Sequence, residues 1–286
     1  MNAECYLCHL RRNVATARAL SGEETATACA KDLMALYLSA PEDASAPWFG
    51  PGVSKLLEKH CGLSGDRYKK EKEDSNRFVL ERLDTIRQKA ESADDPVYAG
   101  LQLAVLGNYL DYSALQGEVS FEKLDEMLDS AADIHLDRQV YGQLMADLEK
   151  GKTLLYLTDN AGEIGFDRVL AELLKKRFPH LAITFCVRGA PAANDATRED
   201  AAIVGIDFPV IDNGTDFAGT VLRCIGPEAR QAFESADVIL SKGQGNVETL
   251  LGCGYNVYYA FLVKCVRFAS YFQAPMMEPL FLREKK

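Results

Sequence analysis

The hydrophobic period of this chain changes near residue 150, and few folds accommodate both halves. Before that point apolar residues recur at helical spacing, over residues 6–20, 23–39, 52–61, 66–92, 96–115, 120–131 and 136–150. After Gly151, short apolar runs at 154–158, 182–187, 208–211, 238–241 and 258–263 alternate with helical segments. Such alternation predicts βαβ units and a parallel sheet. The expected fold is α/β: a helical N-terminal part, residues 1–150, packed on a Rossmann-like doubly wound αβα sandwich, residues 151–286, with a mainly parallel sheet. The Pro-, Gly- and Ser-rich stretch 40–52, which holds the only tryptophan, Trp48, reads as a loop.

Charge and cysteine usage narrow the partners. A net charge of −10, from 32 basic and 42 acidic residues, argues against a nucleic-acid-binding surface. It also requires any phosphate site to build its own local positive field. No run approaches the roughly 18 apolar residues of a membrane span, and residues 1–13 lack the apolar core of a signal peptide. The eight cysteines are scattered through regular elements, which reads as reduced thiols. A cytoplasmic protein is expected, with oligomeric state left open.

In an open doubly wound sheet, ligands bind at the carboxyl ends of strands where the strand order reverses. With the order 3-2-1-4-5, the segments after strands 1, 2 and 4 converge: Asp159–Glu163, Arg188–Thr197 and Lys242–Glu248. Asp159, Asn160 and Asp195 form an oxygen-only ligand set that suits Mg²⁺, Mn²⁺ or Co²⁺ with room for substrate phosphate. The plainer reading of Asp159 and Asn160 is capping of the helix that starts near Gly162. Lys242 opens a glycine-containing turn, Gly243-Gln244-Gly245-Asn246, whose backbone N–H groups could cradle an anion beside the lysine charge. Arg188 could brace a phosphate oxygen, or be an ordinary surface arginine. Glu163, in the first turn of its helix, is a general-base candidate or a dipole-compensating carboxylate.

Three other patterns mislead. Lys150-Gly151-Lys152-Thr153 resembles the tail of a P-loop, but a strand follows instead of a helix. Asp159 after a strand suggests a haloacid-dehalogenase-type phosphatase, whose second aspartate is replaced by Ala161. His60-Cys61 with Arg67 matches the His-Cys-x5-Arg signature of cysteine phosphatases, yet residues 53–59 read as helix where that loop needs a strand. Cys5-x-x-Cys8, with His9 beside it, lacks a second ligand pair for zinc.

Taken together, Asp-Asn-Ala-Gly-Glu at 159–163, Arg-x-x-Pro-x-x-Asn-Asp-x-Thr at 188–197 and Lys-Gly-x-Gly-Asn-x-Glu at 242–248 resemble the damage-control phosphatases, domain-of-unknown-function family 89. The resemblance spans nearly the whole chain. It implies a helical part on an αβα sandwich and metal-dependent hydrolysis of small phosphometabolites. It also implies Asp159, Asn160 and Asp195 as metal ligands, with Lys242 and its glycine loop binding phosphate. Gly107-Asn108-x-x-Asp111 and the series Asp66, Tyr68, Lys72, Asn76 look like family elements of the helical part. Asn108 and Asp111 share one helix face at i,i+3, and Tyr68, Lys72 and Asn76 share another at i,i+4,i+8. These groups could roof the crevice; for Lys72 and Asn76, hydrogen bonds between the two parts weigh equally. The Cys-x-x-Cys resembles the small, mainly microbial branch, and Arg67 stands where relatives commonly carry proline.

The expected reaction is hydrolysis of a phosphate monoester of a small metabolite, a sugar phosphate or a phosphopantetheine-like compound. Asp159, Asp195 and Lys242 are the catalytic candidates, with Glu163, Arg188, residues 243–246, Asn108 and Asp111 around the substrate. The nucleophile is water or Asp159. The rivals are S-adenosylmethionine-dependent carboxyl methyl transfer, a non-catalytic phosphometabolite-binding module, and a Cys61 phosphatase.

Overall fold

A computed structural model describes residues 1–115 and 118–284. Lys285 and Lys286, which end the expected second part, lie outside the described residues. The N-terminal half is helical. A long helical stretch, α1 (Ala3–Leu38), is broken at Gly22, whose φ of 80° and ψ of −179° leave the helical region. It is two helices end to end, as the 6–20 and 23–39 periodicities predict. α2 (Gly50–Cys61), α3 (Lys69–Glu91), α4 (Pro96–Gly107), α5 (Phe121–Asp129) and α6 (Arg138–Lys150) follow. The starts of α4, α5 and α6 are capped by Asp95, Ser120 and Asp137, whose side chains accept backbone N–H bonds from the first turn. Cys61 ends α2, closed by left-handed Gly62, so no strand precedes it as a cysteine-phosphatase loop would need.

The second half alternates β1 (Thr153–Leu157), α7 (Glu163–Arg177), β2 (Ala182–Val187), α8 (Arg198–Ile203), β3 (Val210–Asp212), α9 (Pro227–Ser235), β4 (Val238–Lys242), α10 (Gln244–Leu250), β5 (Val257–Leu262), α11 (Val266–Phe272) and β6 (Pro279–Arg283). The sheet order is β3-β2-β1-β4-β5-β6. Strands β1 to β5 pair in parallel, with Leu155 opposite Thr184 on β2 and Ile239 on β4. The expected order 3-2-1-4-5 is present, and the order reverses between β1 and β4.

Strand side chains alternate between two cores, as the two-residue period requires. Leu154, Tyr156, Phe185, Leu240 and Tyr258 pack with α3 to α7 on one face. Leu155, Leu157, Ile239, Tyr259 and Phe261 pack with α9, α10 and α11 on the other. A third cluster joins α1 and α2 through Leu33, Phe49, Val53 and Leu57. No helix among the described residues is long and apolar enough to cross a membrane.

Several elements depart from the sequence reading, and the stretch 40–52, expected as a loop, holds a 3-10 turn at Ala46–Phe49 and the start of α2 at Gly50. β6 was not expected: it runs antiparallel to β5 along the sheet edge, half-buried, and opens on a proline. The third strand is shifted, to Val210–Asp212. The helix expected over 96–115 ends at Gly107; beyond it Asn194 Nδ2 donates to the Leu110 carbonyl, and the Asn108 side chain turns to β5, where Oδ1 accepts from Leu262 N.

Candidate active site

The ends of β1 and β2 are stitched together beyond the regular ladder. The backbone at Asn160 bridges to Asp195 in antiparallel fashion, and Arg188 bridges to Thr197. Ala196 N–H donates to the Asp159 carbonyl at 2.7 Å and Ala161 N–H to the Asn194 carbonyl at 2.9 Å. This backbone pairing sets Asp159, Asn160 and Asp195 side by side, all at most 5% exposed. Asp159 and Asn160 do not cap α7, whose N-cap is Gly162 with no side-chain cap bond. From β4, across the reversal, comes Gly243. Its φ is 79°, and a Cβ there would lie 2.0 Å from Asp159 Oδ2, so only glycine leaves that carboxylate in place.

Asn108 and Glu163 hold the arrangement from the helical side. Asn108 Nδ2 lies 3.0 Å from Asp159 Oδ2 and 2.9 Å from Glu163 Oε2. Asn160 Nδ2 donates to Asp159 Oδ2 at 2.8 Å and to Glu163 Oε2 at 2.7 Å. Glu163 Oε1 in turn accepts from Lys242 Nζ at 2.7 Å. Arg188 closes the other side: Nε donates to Asp195 Oδ2 at 2.6 Å, while Nη2 sits 3.7 Å from Asp159 Oδ1. Arg188 Nη2 is buried without a hydrogen-bond partner.

This crowding sets the electrostatics. Burial, followed by the charges of Asp195 and Glu163, pushes the Asp159 carboxyl well above the usual carboxylate range. Burial also pushes Asp195 up, to about 6, against the pull of Arg188. Burial works against charge on Lys242, but Asp167 and Glu163 outweigh it and raise its pKa, so it stays an ammonium. At Asp111, too, burial disfavours the carboxylate, yet Lys264 and the Ala114 N–H hold its carboxyl below the usual range. Asp111, Asp159, Glu163, Asp167 and Asp195 face Lys242, Lys264 and Arg188, so the fully ionised cluster carries more carboxylates than cations.

That excess, concentrated on Asp159 and Asp195, fits a bound divalent cation. Among the described residues no three His, Cys, Asp or Glu side chains are grouped to hold one. The donor set requires the Asn160 carboxamide oxygen, which now accepts from Asn194 Nδ2 at 3.0 Å. Two carboxylates and a carboxamide are hard oxygen donors of the kind Mg²⁺ and Mn²⁺ take.

Not every expected contact group reaches open space. Asp159, Asp195, Asp111, Gln244 and Gly245 line a cavity of about 180 Å³. The Lys242 ammonium does not: it is fully buried, its three donors taken by Glu163, Asp167 and the Ala104 carbonyl. The expected direct contact of Lys242 with phosphate therefore gives way to an internal ion pair. Asn246 is also internal, donating to the Thr158 and Lys242 carbonyls and accepting from Thr220. The Gln244 side chain braces Lys264 N and Glu248. Lys72 and Asn76 are buried against Asp200, and Asn76 Oδ1 accepts from Gly162 N at 2.7 Å; the hydrogen-bonded reading describes them.

Sequence reasoning overlooked Asp167 and quoted Asn194 only as a motif residue, without a role. Asp167 lies four residues after Glu163 on α7, a carboxylate on an otherwise apolar face, and that spacing is a usable signal. Asn194 precedes Asp195 and links it to Asn160 and Leu110. That His9, Arg12 and Asn13 from α1 and Arg67 from the turn before α3 line the same cavity has no signal in the sequence pattern.

Residues 1–280 match the family model described as the damage-control phosphatase ARMT1-like domain. An uncharacterized protein of Methanocaldococcus jannaschii is 33% identical over 273 residues, covering 92% of this chain and 88% of that one. Damage-control phosphatases of Archaeoglobus fulgidus and Pyrococcus horikoshii are 33% and 31% identical over 188 and 189 residues, 65% of this chain and 64% of each relative. The crystal structure of a DUF89 family protein from Pyrococcus horikoshii matches with a TM-score of 0.84 at 25% identity, over 100% of this chain and 99% of that one.

Proposed function

Because the chain belongs to the ARMT1-like damage-control phosphatase family, we propose that it is a metal-dependent phosphatase of small metabolites, damaged ones among them, acting on phosphate monoesters. The observation that carries this reading is the convergence of Asp159, Asn160 and Asp195 at the sheet's switch point, with the unpartnered Arg188 Nη2 beside them.

Asp159, Asn160 and Asp195 would hold Mg²⁺, Mn²⁺ or Co²⁺, which would neutralise charge on the transferring phosphoryl group. The chain's own groups do the rest. Arg188, anchored through Nε on Asp195, has at Nη2 a buried donor without a hydrogen bond, 3.7 Å from Asp159 Oδ1, which a phosphoryl oxygen entering beside Asp159 would engage. The N–H groups of the first turn of α10, at Gln244 and Gly245 on the cavity wall, supply further donors. Asn108 and Asn160 fix Oδ2 of Asp159 and so orient its other oxygen. Lys242 acts through Glu163 as a positioning residue. Position 161 is a buried alanine, so no acid stands two residues beyond Asp159 to serve a leaving group. Water is therefore favoured over Asp159 as the nucleophile.

The test is phosphate release from a panel of small phosphomonoesters by wild type, Asp159→Ala and Asp195→Ala. Loss of turnover by at least ~100-fold in both variants is expected; retained turnover in either would sink the site.

A further inference from the structure

The cavity that Asp159 and Asp195 line also has cationic lining. Arg12, on α1, and Arg67, in the turn ahead of α3, both border it with His9 and Asn13, and so do the carboxylates Asp111, Asp216 and Glu248. Arg12 Nη2 donates to the Ser113 carbonyl, which fixes its direction. The Arg67 guanidinium lies 5.0 Å from the Tyr68 ring centroid. Both side chains are half-buried. Among the described residues neither forms an ion pair with a carboxylate, whereas Lys72, Arg188, Lys242 and Lys264 each do.

The Arg12 charge already acts on Asp111, but both guanidiniums leave hydrogen-bond donors unused, which a bound anion would fill. His9 does not compete for that anion as a charge. Its pKa is lowered to about 4, by burial first and then by Arg12 and Arg67, so at neutral pH it is an uncharged hydrogen-bonding group. Near Asp159 and Asp195, by contrast, the excess of carboxylates suits a cation, through which a phosphoryl group would be held. The carboxylates and the arginines therefore suit different parts of one ligand.

We propose that the substrate carries, besides its phosphoryl group, a second anionic group, a carboxylate or another phosphate, which Arg12 and Arg67 bind. This rests on the phosphatase reading of the same site. It narrows the substrate class: a singly phosphorylated neutral sugar would leave the arginines unfilled, while a phosphorylated acid or a bisphosphate of similar size would fill them.

Matched ligand pairs test this by calorimetry on the Mg²⁺-loaded protein. Glycerol 3-phosphate and 3-phosphoglycerate differ by a carboxylate; fructose 6-phosphate and fructose 1,6-bisphosphate differ by a phosphate. Wild type should bind the doubly anionic member of at least one pair ~10-fold or more tightly, and which pair responds identifies the second group. Arg67→Ala and Arg12→Ala should each shrink that preference to within ~3-fold, with Arg67→Lys retaining part of it. No preference in wild type for either pair, or equal weakening of both members in the variants, overturns the proposal. The latter result would put the arginines on the reacting phosphoryl itself. Phosphate release, followed in parallel, separates the two readings. Preference without release contradicts the phosphatase assignment alone, and release without preference contradicts the second-anion site alone.

Discussion

Asn108 Nδ2 lies 3.0 Å from Asp159 Oδ2, joining the end of α4 to the end of β1 across the seam between the helical half and the sheet. The same amide reaches Glu163, and its oxygen accepts the Leu262 N–H at 3.0 Å. One fully buried side chain thus ties α4, β1, α7 and β5 together. Replacing it removes partners from several buried groups at once. Asn108→Ala should cost roughly 1–3 kcal/mol of stability and lower kcat by at least ~10-fold. Thermal unfolding and steady-state kinetics check both, and an unchanged kcat would remove Asn108 from the account.

Gly243 faces Asp159 so closely that its substitution is a local test of the carboxylate's position. With φ at 79° and a Cβ contact of 2.0 Å, Gly243→Ala must displace Asp159 or the loop. Turnover should fall ~100-fold or more, while the circular dichroism spectrum stays native. Near-normal turnover would mean the carboxylate need not stand where it does.

Lys242 is expected to matter through structure rather than through contact with phosphate. Lys242→Met leaves Glu163 and Asp167 buried without their cation, a loss of about 3–5 kcal/mol. Denaturant unfolding should show it in the protein without ligand or metal. A variant of unchanged stability and much-weakened phosphate binding would restore the direct role that the sequence pattern suggests.

His9 predicts a pH dependence of stability. Its pKa is about 4 in the folded chain, held down mainly by burial, against 6.5 in the unfolded one. Between those values the unfolded state binds more protons, so stability falls as pH drops from 6.5 to 4 and levels off below. The loss is at most about 3 kcal/mol, allowing for the ring's partial contact with solvent. Urea unfolding of wild type and His9→Gln at pH 7 and pH 4.5 isolates this contribution, because other titrating groups are common to both. An equal pH response in the two proteins would contradict it.

Much of this architecture was legible in the sequence because its signals are local or topological. The change of period at 150 located the five parallel strands, and their order alone gathered Asp159, Arg188 and Gly243 at one crevice. The helix end at Gly107 was hidden because the groups that hold the chain beyond it come from elsewhere, the Asn194 side chain on the Leu110 carbonyl and the Leu262 backbone N–H on Asn108. β6 was hidden because a half-buried edge strand opening on proline shows little alternation. Lys242 misled for a related reason: a lysine before a glycine turn suggests an anion site, and only the fold puts Glu163 and Asp167 within 2.8 Å of it. The cavity wall formed by Arg12 and Arg67 joins segments whose approach no periodicity encodes.

The most direct test of the central claim is phosphate release from the same phosphomonoester panel, first in EDTA and then with Mg²⁺, Mn²⁺ or Co²⁺ restored. The site built on Asp159, Asn160 and Asp195 predicts release that vanishes with chelator and returns with metal. Release indifferent to chelator would contradict it.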